Sequence, residues 1–278
     1  MGRAWRKGLV DRSEMKVKRT TISKQMVRRV FFQPDDLERR ILAHRSKRMF
    51  DFICAFAGVV FFAPSMALIA FMIKISSSPG RVLYKGIRVG RGGKTFEMLK
   101  FRTMVTDAER QGGSATAGDD PRVTRVGRFL RKYKLDELPQ LINVLKGEMS
   151  LVGPRSDVPK YADMYSKEER IILGLSPGIT DWATIWNTHQ GDILEASPNA
   201  EESYEKLIRP TKTALQLRYA YRHSFTIDLR ILCFTAFKLC RPDWFPKELQ
   251  RYGKPKRYRA LELEPLLETL QREMSTQC

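Results

Sequence analysis

The sequence predicts an α+β protein that is mostly helical, with a re-entrant membrane helix hairpin and a compact cytosolic domain containing a small β-hairpin and membrane-surface helices. Three patterns in the 278 residues support this class. A run of 22 uncharged residues, Phe52 to Ile73, has basic residues on both sides. Two alternating segments joined by the glycine-rich residues 90–93 are typical of a β-hairpin. Apolar residues at helical spacing, as at 138–145 and 226–240, indicate helices.

The charge is concentrated in two blocks. The formal net charge is +19, of which residues 1–48 contribute +10 and residues 81–134 contribute +9, while residues 135–278 are neutral overall. Such blocks attract polyanions: nucleic acid, anionic lipid or phosphorylated substrates. The N-terminal block also fits a merely solubilising surface. No recognised nucleic-acid motif accompanies the charge, which disfavours a nucleic-acid-binding module.

Cysteine usage and the N-terminus indicate a reducing compartment. The four cysteines include no CxxC pair, so neither a disulfide framework nor a zinc site is predicted. The first 40 residues are polar and basic, unlike a secretory signal peptide.

The apolar run is long enough to span a bilayer as a helix, which takes about 20 residues. Both flanks are basic, however, and positive residues favour the cytoplasmic side. Pro64 lies in the middle of the run, where it removes a backbone hydrogen bond and disfavours the helix by roughly 3 kcal/mol. A segment that enters, bends at Pro64 and leaves by the same face satisfies both observations, and a full span remains the alternative.

Residues 82–89 and 94–101 read as the two strands of the hairpin. The second strand ends in Lys100-Phe101-Arg102, and alternation puts Lys100 and Arg102 on one face. Residues 106–121 read as a loop, and residues 123–134 as a short basic helix with Arg131 on its basic face.

Asp136 and Glu137 follow directly, after a stretch from Arg122 to Lys134 with six Lys or Arg residues and no acid. Asp136 is predicted to be the N-cap of a helix that ends at Gly147. The local pattern supports two interpretations: a capping pair, or carboxylates that meet an anionic, phosphate-bearing substrate.

The remaining elements are short strands and two longer helices. Residues 150–155 read as a strand that runs into a turn presenting Arg155, and residues 175–180 as a second turn and strand. Residues 190–204 read as a loop, and residues 204–221 and 226–240 as helices, the second either buried or against lipid.

Five segments, in this order, resemble the bacterial sugar transferases, the monotopic phosphoglycosyl transferases. The segments are Lys100 to Met104, Asp120 to Arg131, Leu135 to Leu141, Asn143 to Arg155 and Ser176 to Thr180. The resemblance covers about residues 47–240. Together with the charge pattern, it predicts an N-terminal basic arm (1–46), a re-entrant membrane hairpin (47–80), a cytosolic catalytic domain (81–240) and a C-terminal extension (241–278).

The family transfers a sugar 1-phosphate from a UDP-sugar to polyprenyl (undecaprenyl) phosphate, releasing UMP, at the cytoplasmic face of the bacterial inner membrane. The resemblance therefore implies a UDP-sugar donor, a polyprenyl phosphate acceptor, Mg²⁺ and a membrane as partners, with no nucleic acid. Further copies of the chain or downstream glycosyltransferases are additional candidate partners. The reaction would initiate exopolysaccharide, O-antigen or glycan assembly.

By resemblance, Asp136 is the nucleophile that forms a covalent phosphosugar intermediate, and Glu137 is its partner at the magnesium ion. The substrate-binding residues implied in the same way are Lys100, Arg102, Arg131, Pro154 and Arg155. Pro64 matches the break in the membrane helix, although Ala63-Pro64-Ser65 stands where the family usually has Ser-Pro. A catalytically inactive, membrane-attached scaffold is the alternative function.

Overall fold

A computed structural model describes residues 34–76, 80–108, 120–187, 194, 200–241 and 244–252. The predicted basic arm before residue 34, most of the loop at 106–121, most of the loop at 190–204 and the extension after residue 252 lie outside these ranges. The chain divides into two units, Met1–Ser46 and Lys47–Cys278. The α-helices are α1 (Pro34–Ser76), α2 (Arg125–Lys132), α3 (Gln140–Lys146), α4 (Pro159–Asp163), α5 (Trp182–Trp186), α6 (Ala200–Ser203), α7 (Arg209–Arg222) and α8 (Phe225–Cys240). The strands are β1 (Leu83–Val89), β2 (Thr95–Phe101), β3 (Ser150–Val152) and β4 (Gly178–Thr180). The fold is mostly helical with small sheets, as predicted.

Helix α1 is continuous through Pro64. Its portion Arg45–Ser76 is long and apolar enough to cross a membrane by length and composition, and only 11% of its apolar window is buried. A proline removes one backbone hydrogen bond and can kink a helix without ending it. The re-entrant bend at Pro64 therefore stays a prediction.

The apolar stretch of α1 packs on the following domain at both ends. Ala55 is fully buried against Met98 and Val144, and Ile73 is fully buried in a cluster with Phe101 and Leu130. The large side chains on the remaining faces are exposed: Phe52, Ile53, Phe56, Val60, Phe61, Leu68, Phe71 and Ile75.

The predicted hairpin is confirmed. Strands β1 and β2 pair antiparallel in full register, from Leu83 opposite Phe101 to Val89 opposite Thr95. The turn contains Gly92 and Gly93 at φ of 70° and 77°, the left-handed region that glycine adopts without a Cβ clash.

The second sheet is a pairing that the sequence did not predict. Strands β3 and β4 are parallel, with Ser150 opposite Gly178 and Val152 opposite Thr180. The chains approach so closely that a Cβ on Gly178 would lie 2.1 Å from the amide nitrogen of Gly153. This contact holds the turn after β3 against the strand β4.

A network of polar side chains ties α1 to the domain. Lys47 donates to Asp228 of α8 at 2.6 Å, and the Tyr219 hydroxyl donates to the same carboxylate at 2.6 Å. Four residues after Lys47, Asp51 accepts from the Ser150 hydroxyl at 2.7 Å. Asp51 and Asp228 are buried, and these partners satisfy their carboxylates within the protein.

Helix α8 is only partly buried, and contact of its exposed face with lipid stays a prediction. Its buried residues include Ile231 and Asp228, while Phe225, Leu229, Phe237 and Leu239 are exposed. The Phe225 ring meets Phe50 of α1 edge to face, at 5.1 Å between centroids. This contact joins the first residue of α8 to α1.

Candidate active site

The two adjacent carboxylates lie in a short 3-10 turn, Leu135–Glu137, between α2 and α3. Lys134 precedes it with a φ of 57°, and among the described residues it is the one non-glycine residue in the left-handed region. Such a conformation costs of order 1–3 kcal/mol and is typical of functional sites. The strained residue reverses the chain after α2 and directs Asp136 and Glu137 inward.

The prediction that Asp136 caps the next helix is wrong. Helix α3 begins at Gln140, with Pro139 in the capping position and no side-chain cap. An N-cap at Asp136 would need the N–H groups of residues 138 or 139. Leu138 already donates to the carbonyl of Leu135 at 3.3 Å, and proline has no N–H. The Asp136 carboxylate is therefore left available for chemistry.

Glu137 is held by two cations from distant parts of the chain. Lys100 of β2 donates to its Oε1 at 2.8 Å, and Arg155 donates to both carboxylate oxygens, with Nη1 3.1 Å from Oε2. Burial raises the pKa of Glu137, but the charges of Arg155 and Lys100 outweigh it and hold that pKa well below its usual range. Glu137 is a fixed anion.

Asp136 is only 6% exposed, and its surroundings are different. Lys100 Nζ lies 3.9 Å from its Oδ2, and none of the described residues donates a hydrogen bond to its carboxylate. Burial raises its pKa above the ordinary value, opposed by Lys100, Lys134 and Arg131 and reinforced by Glu137. Helix α3 starts four residues later, so Asp136 does not lie in its first turn.

Arg131 of α2 is oriented by a residue that the sequence did not single out. Its Nε donates to the Thr103 hydroxyl at 2.9 Å. Gly127 lets α2 lie directly on the same residue, since a Cβ there would come within 2.0 Å of the Thr103 carbonyl oxygen. Burial lowers the pKa of Arg131, and the nearby charge of Asp136 partly offsets this. Arg131 is thus fixed by Thr103 at a place where its charge and that of Asp136 act on each other.

Arg155 is fixed through its backbone as well as its side chain. Its N–H donates to Asp181 Oδ2 at 3.1 Å, and its carbonyl accepts from Gln216 Nε2 at 2.8 Å. Its Nη1 also donates to the carbonyl of Ile179 at 3.1 Å, and the preceding Pro154 carbonyl accepts from Gly178 N at 3.0 Å. Pro154 thus helps to position Arg155 through its backbone hydrogen bond to β4.

Sequence reasoning missed Asp181 and Gln216 as supports of Arg155. Asp181 could have been found from the sequence, because an aspartate directly before a helix is a typical N-cap. Its Oδ1 accepts from Thr184 N, in the first turn of α5, at 2.6 Å. Gln216 is fully buried in α7 and has no comparable signal in the sequence. Only the packing of α7 on the turn reveals it.

Within the described part of the chain, Arg102 makes no hydrogen bond or ion pair with Asp136 or Glu137. It follows β2, and its guanidinium lies beside Gly80 and Thr106, so that a Cβ on Gly80 would come within 2.2 Å of Arg102 Nη1. The structure brings Lys100, Arg131 and Arg155 to the carboxylates, and Lys134 joins them in place of Arg102.

The donor set of the site fits a magnesium ion that is shared with a substrate. No cluster of three or more His, Cys, Asp or Glu occurs among the described residues. Mg²⁺ needs no such cluster, since it usually binds through one or two carboxylates, substrate phosphates and water. The Asp136 carboxylate accepts no hydrogen bond from the described residues, and Glu137 Oε2 accepts from Arg155 alone among them.

Comparison with protein families matches residues 42–242 to the model of the family described as bacterial sugar transferase. The chain is 39% identical over 161 residues to a UDP-N-acetylgalactosamine-undecaprenyl-phosphate N-acetylgalactosaminephosphotransferase of Aeromonas hydrophila, covering 57% of this chain and 38% of that protein. It is 41% identical over 207 residues to a UDP-glucose:undecaprenyl-phosphate glucose-1-phosphate transferase of Caulobacter vibrioides, covering 73% of each.

A third relative is an exopolysaccharide production protein of Sinorhizobium fredii, 33% identical over 226 residues, covering 76% of this chain and 92% of that protein. The chain thus matches little more than a third of the Aeromonas relative and most of the length of the Sinorhizobium one. In each case the matched part is longer than the stretch between Lys100 and Arg155 that forms the site.

Proposed function

Because the chain belongs to the bacterial sugar transferase family, we propose that it transfers a sugar 1-phosphate from a UDP-sugar to undecaprenyl phosphate and releases UMP. The reaction would initiate exopolysaccharide, O-antigen or glycan assembly. The names of two relatives give UDP-linked N-acetylgalactosamine and UDP-glucose as donors and undecaprenyl phosphate as acceptor, and a third relative serves exopolysaccharide production.

One observation carries the proposal: of the two neighbouring carboxylates, one accepts hydrogen bonds from cations and the other accepts none from the described residues. Glu137 is bound by Lys100 and Arg155, whereas no described residue donates a hydrogen bond to the Asp136 carboxylate. A nucleophile must have a free lone pair, and a residue that orients cations or metal must be fixed. This difference supports Asp136 as nucleophile and Glu137 as its fixed partner.

In the first step, an Asp136 carboxylate oxygen forms a bond to the phosphorus that bears the sugar. The bond from that phosphorus to the bridging oxygen of the diphosphate breaks, and its electron pair leaves with UMP. Lys100, Arg131 and Arg155 would neutralise the oxygens of the transferred phosphoryl group, because a carboxylate cannot approach an uncompensated phosphate.

In the second step, an oxygen of the polyprenyl phosphate attacks the same phosphorus, and the Asp136 carboxylate is expelled in its original form. The acceptor oxygen is already ionised, so no general base is required. A bound Mg²⁺, held through Asp136 and Glu137 together with substrate phosphate oxygens, would supply further charge neutralisation. Glu137 stays ionised because of its two cations, so it can hold its neighbours in place throughout.

The packing of α1 supports attachment to one face of the membrane. From Ala55 to Ile73 a straight helix rises about 27 Å, close to the hydrocarbon thickness of about 30 Å. Both ends of this stretch pack on the domain that carries the site. If the helix crossed the bilayer, the domain packed on both its ends would place the polar site in the hydrocarbon layer. A helix that bends at Pro64 and enters and leaves by one face would keep the site in water. The basic flanks of the apolar run support the cytoplasmic side of the inner membrane for this face.

The decisive experiment measures UMP release by the purified protein in nanodiscs, with undecaprenyl phosphate and a panel of UDP-sugars. We expect Asp136→Asn to abolish release, and Asp163→Asn, an exposed aspartate on α4, to leave it unchanged. EDTA should abolish release and Mg²⁺ restore it. Full activity of Asp136→Asn would refute the assignment of Asp136 as nucleophile. If the wild type releases no UMP with any donor, the inactive scaffold is favoured.

A further inference from the structure

The hairpin presents a second cation on the face that carries Lys100. In the antiparallel register, Tyr84 is opposite Lys100, Gly86 opposite Met98 and Arg88 opposite Phe96. Directly opposed residues share a face of the sheet, and so do residues two apart on one strand. Arg88 therefore lies on the same face as Lys100, which donates to Glu137.

The turn that holds Arg155 covers this face. The Ser156 hydroxyl lies 3.8 Å from Met98 Sδ, between the positions of Lys100 and Arg88. Next to Arg88, the backbone N–H of Val89 donates to the carbonyl of Asp157 at 2.9 Å. The hairpin end with Arg88 is thus attached directly to the turn that supplies Arg155.

The nearby carboxylate of Asp157 already accepts a hydrogen bond on each of its two oxygens. Asp157 Oδ1 accepts from Lys212 Nζ, and Oδ2 accepts from the Tyr165 hydroxyl at 2.7 Å. Among the described residues, the hydrogen bond of the Arg88 side chain goes to the carbonyl of Ile87 at 3.4 Å, near the limit for such a bond, and no carboxylate pairs with it.

This environment is unfavourable for a lone guanidinium. Burial lowers the pKa of Arg88, and the positive charge of Arg155 adds to this effect, while Tyr84 and Asp157 only partly oppose it. Arg88 is partly exposed, so it has lost part of its hydration without gaining a carboxylate partner among the described residues. An anionic ligand at the accessible part of the Arg88 guanidinium would supply the missing partner.

We propose that Arg88 binds the nucleotide phosphate of the donor, the phosphate that departs as UMP. The inference rests on the proposed function and extends it. A UDP-sugar brings two phosphates, and the cations around Asp136 serve the one that is attacked. Lys100 is opposite Tyr84, and Arg88 is four residues further along β1, about 13 Å from Tyr84 between Cα atoms. The side chains of Arg88 and Lys100 are both long enough to reach toward each other.

The proposed contact assists departure of the nucleotide. When the bond between the attacked phosphorus and the bridging oxygen breaks, negative charge accumulates on the phosphate of UMP. A guanidinium binds such a phosphate with two parallel hydrogen bonds, and the interaction strengthens as the charge develops. Arg88 would then be a catalytic residue that touches the leaving group, at a distance from the nucleophile.

The test measures binding directly and does not require turnover. Calorimetry with the purified protein in nanodiscs compares UMP with uridine for the wild type, Arg88→Ala, Arg88→Lys and Arg81→Ala. Arg81 is the matched control, an exposed arginine at the start of the same hairpin. We expect Arg88→Ala to weaken UMP binding roughly 10- to 100-fold and uridine binding not at all, Arg88→Lys to be intermediate, and Arg81→Ala to match the wild type.

Kinetics with the UDP-sugar and with undecaprenyl phosphate separate the two sources of phosphate. A rise in the donor KM without a rise in the acceptor KM supports the nucleotide assignment. A rise in the acceptor KM alone, or UMP affinity equal in Arg88→Ala and Arg81→Ala, overturns it. If UMP binding depends on Arg88 but no UDP-sugar yields UMP, the Arg88 inference is supported while the proposed function fails.

Discussion

The hydrogen bond from Arg131 to Thr103 gives a sharp test of how the site is organised. Thr103 is buried, and Arg131 Nε donates to its hydroxyl at 2.9 Å. Thr103→Val keeps the branched shape and removes the acceptor. A hydrogen bond to a charged group contributes about 1.5–3 kcal/mol, and its loss leaves Arg131 free to turn away from Asp136. If this orientation is required for the reaction, kcat/KM falls about 10- to 100-fold.

The assay is UMP release under single-donor conditions, with thermal unfolding of each variant as the check on folding. Thr103→Ser retains the hydroxyl and is expected to keep most of the activity. Thr106→Val, at an exposed threonine three residues along, is the matched control and should behave as the wild type.

A double-mutant cycle with Arg131→Ala identifies the route of the effect. If Thr103 acts by orienting Arg131, the valine substitution costs little once Arg131 is gone, so the two losses are strongly non-additive. Additive losses would refute the reasoning, and so would full activity of Thr103→Val, because either result means that the hydroxyl does not act through the guanidinium.

Two further predictions concern pH and the attachment of α1. Burial raises the pKa of Asp136 above 3.8, and the ionised form is the nucleophile, so activity should fall on the acid side at a pH above 3.8. Lys134→Ala should shift this limb to higher pH in the pH–rate profile, because Lys134 lowers that pKa; a shift to lower pH would contradict the assignment. Asp228→Asn removes the buried partner of Lys47 and of the Tyr219 hydroxyl, and should lower the free energy of unfolding by about 3 kcal/mol in denaturant titrations in detergent. An unchanged midpoint would show that this pair does not hold α1.

Local rules were sufficient for most of the elements. The hairpin follows from alternation and from glycines that adopt positive φ, and the end of α3 follows from Gly147 at φ 86°. Helix α8 follows from its apolar pattern and from Ser224, whose hydroxyl accepts from Ile227 N. These features depend on residues within a few positions of each other, so the sequence displays them directly.

The same reasoning failed where two local preferences competed. Aspartate favours an N-cap, but the left-handed Lys134 and the proline at 139 convert the segment into a 3-10 turn. The shared face of Lys100 and Arg102 stays a prediction: the Arg102 N–H donates to the carbonyl of Val82 at 2.8 Å, next to the end of β2, and its guanidinium lies beside Gly80.

The sequence by itself determined the family, the two carboxylates and most of the cations around them, since these are residue types at fixed spacings. Only the tertiary structure decided which carboxylate is held and which is free. Glu137 meets Lys100 across 37 residues and Arg155 across 18 residues. Those contacts exist because the hairpin packs on α3 and because β3 pairs in parallel with β4. Such pairings depend on packing between distant segments, and adjacency in the chain carries no information about them.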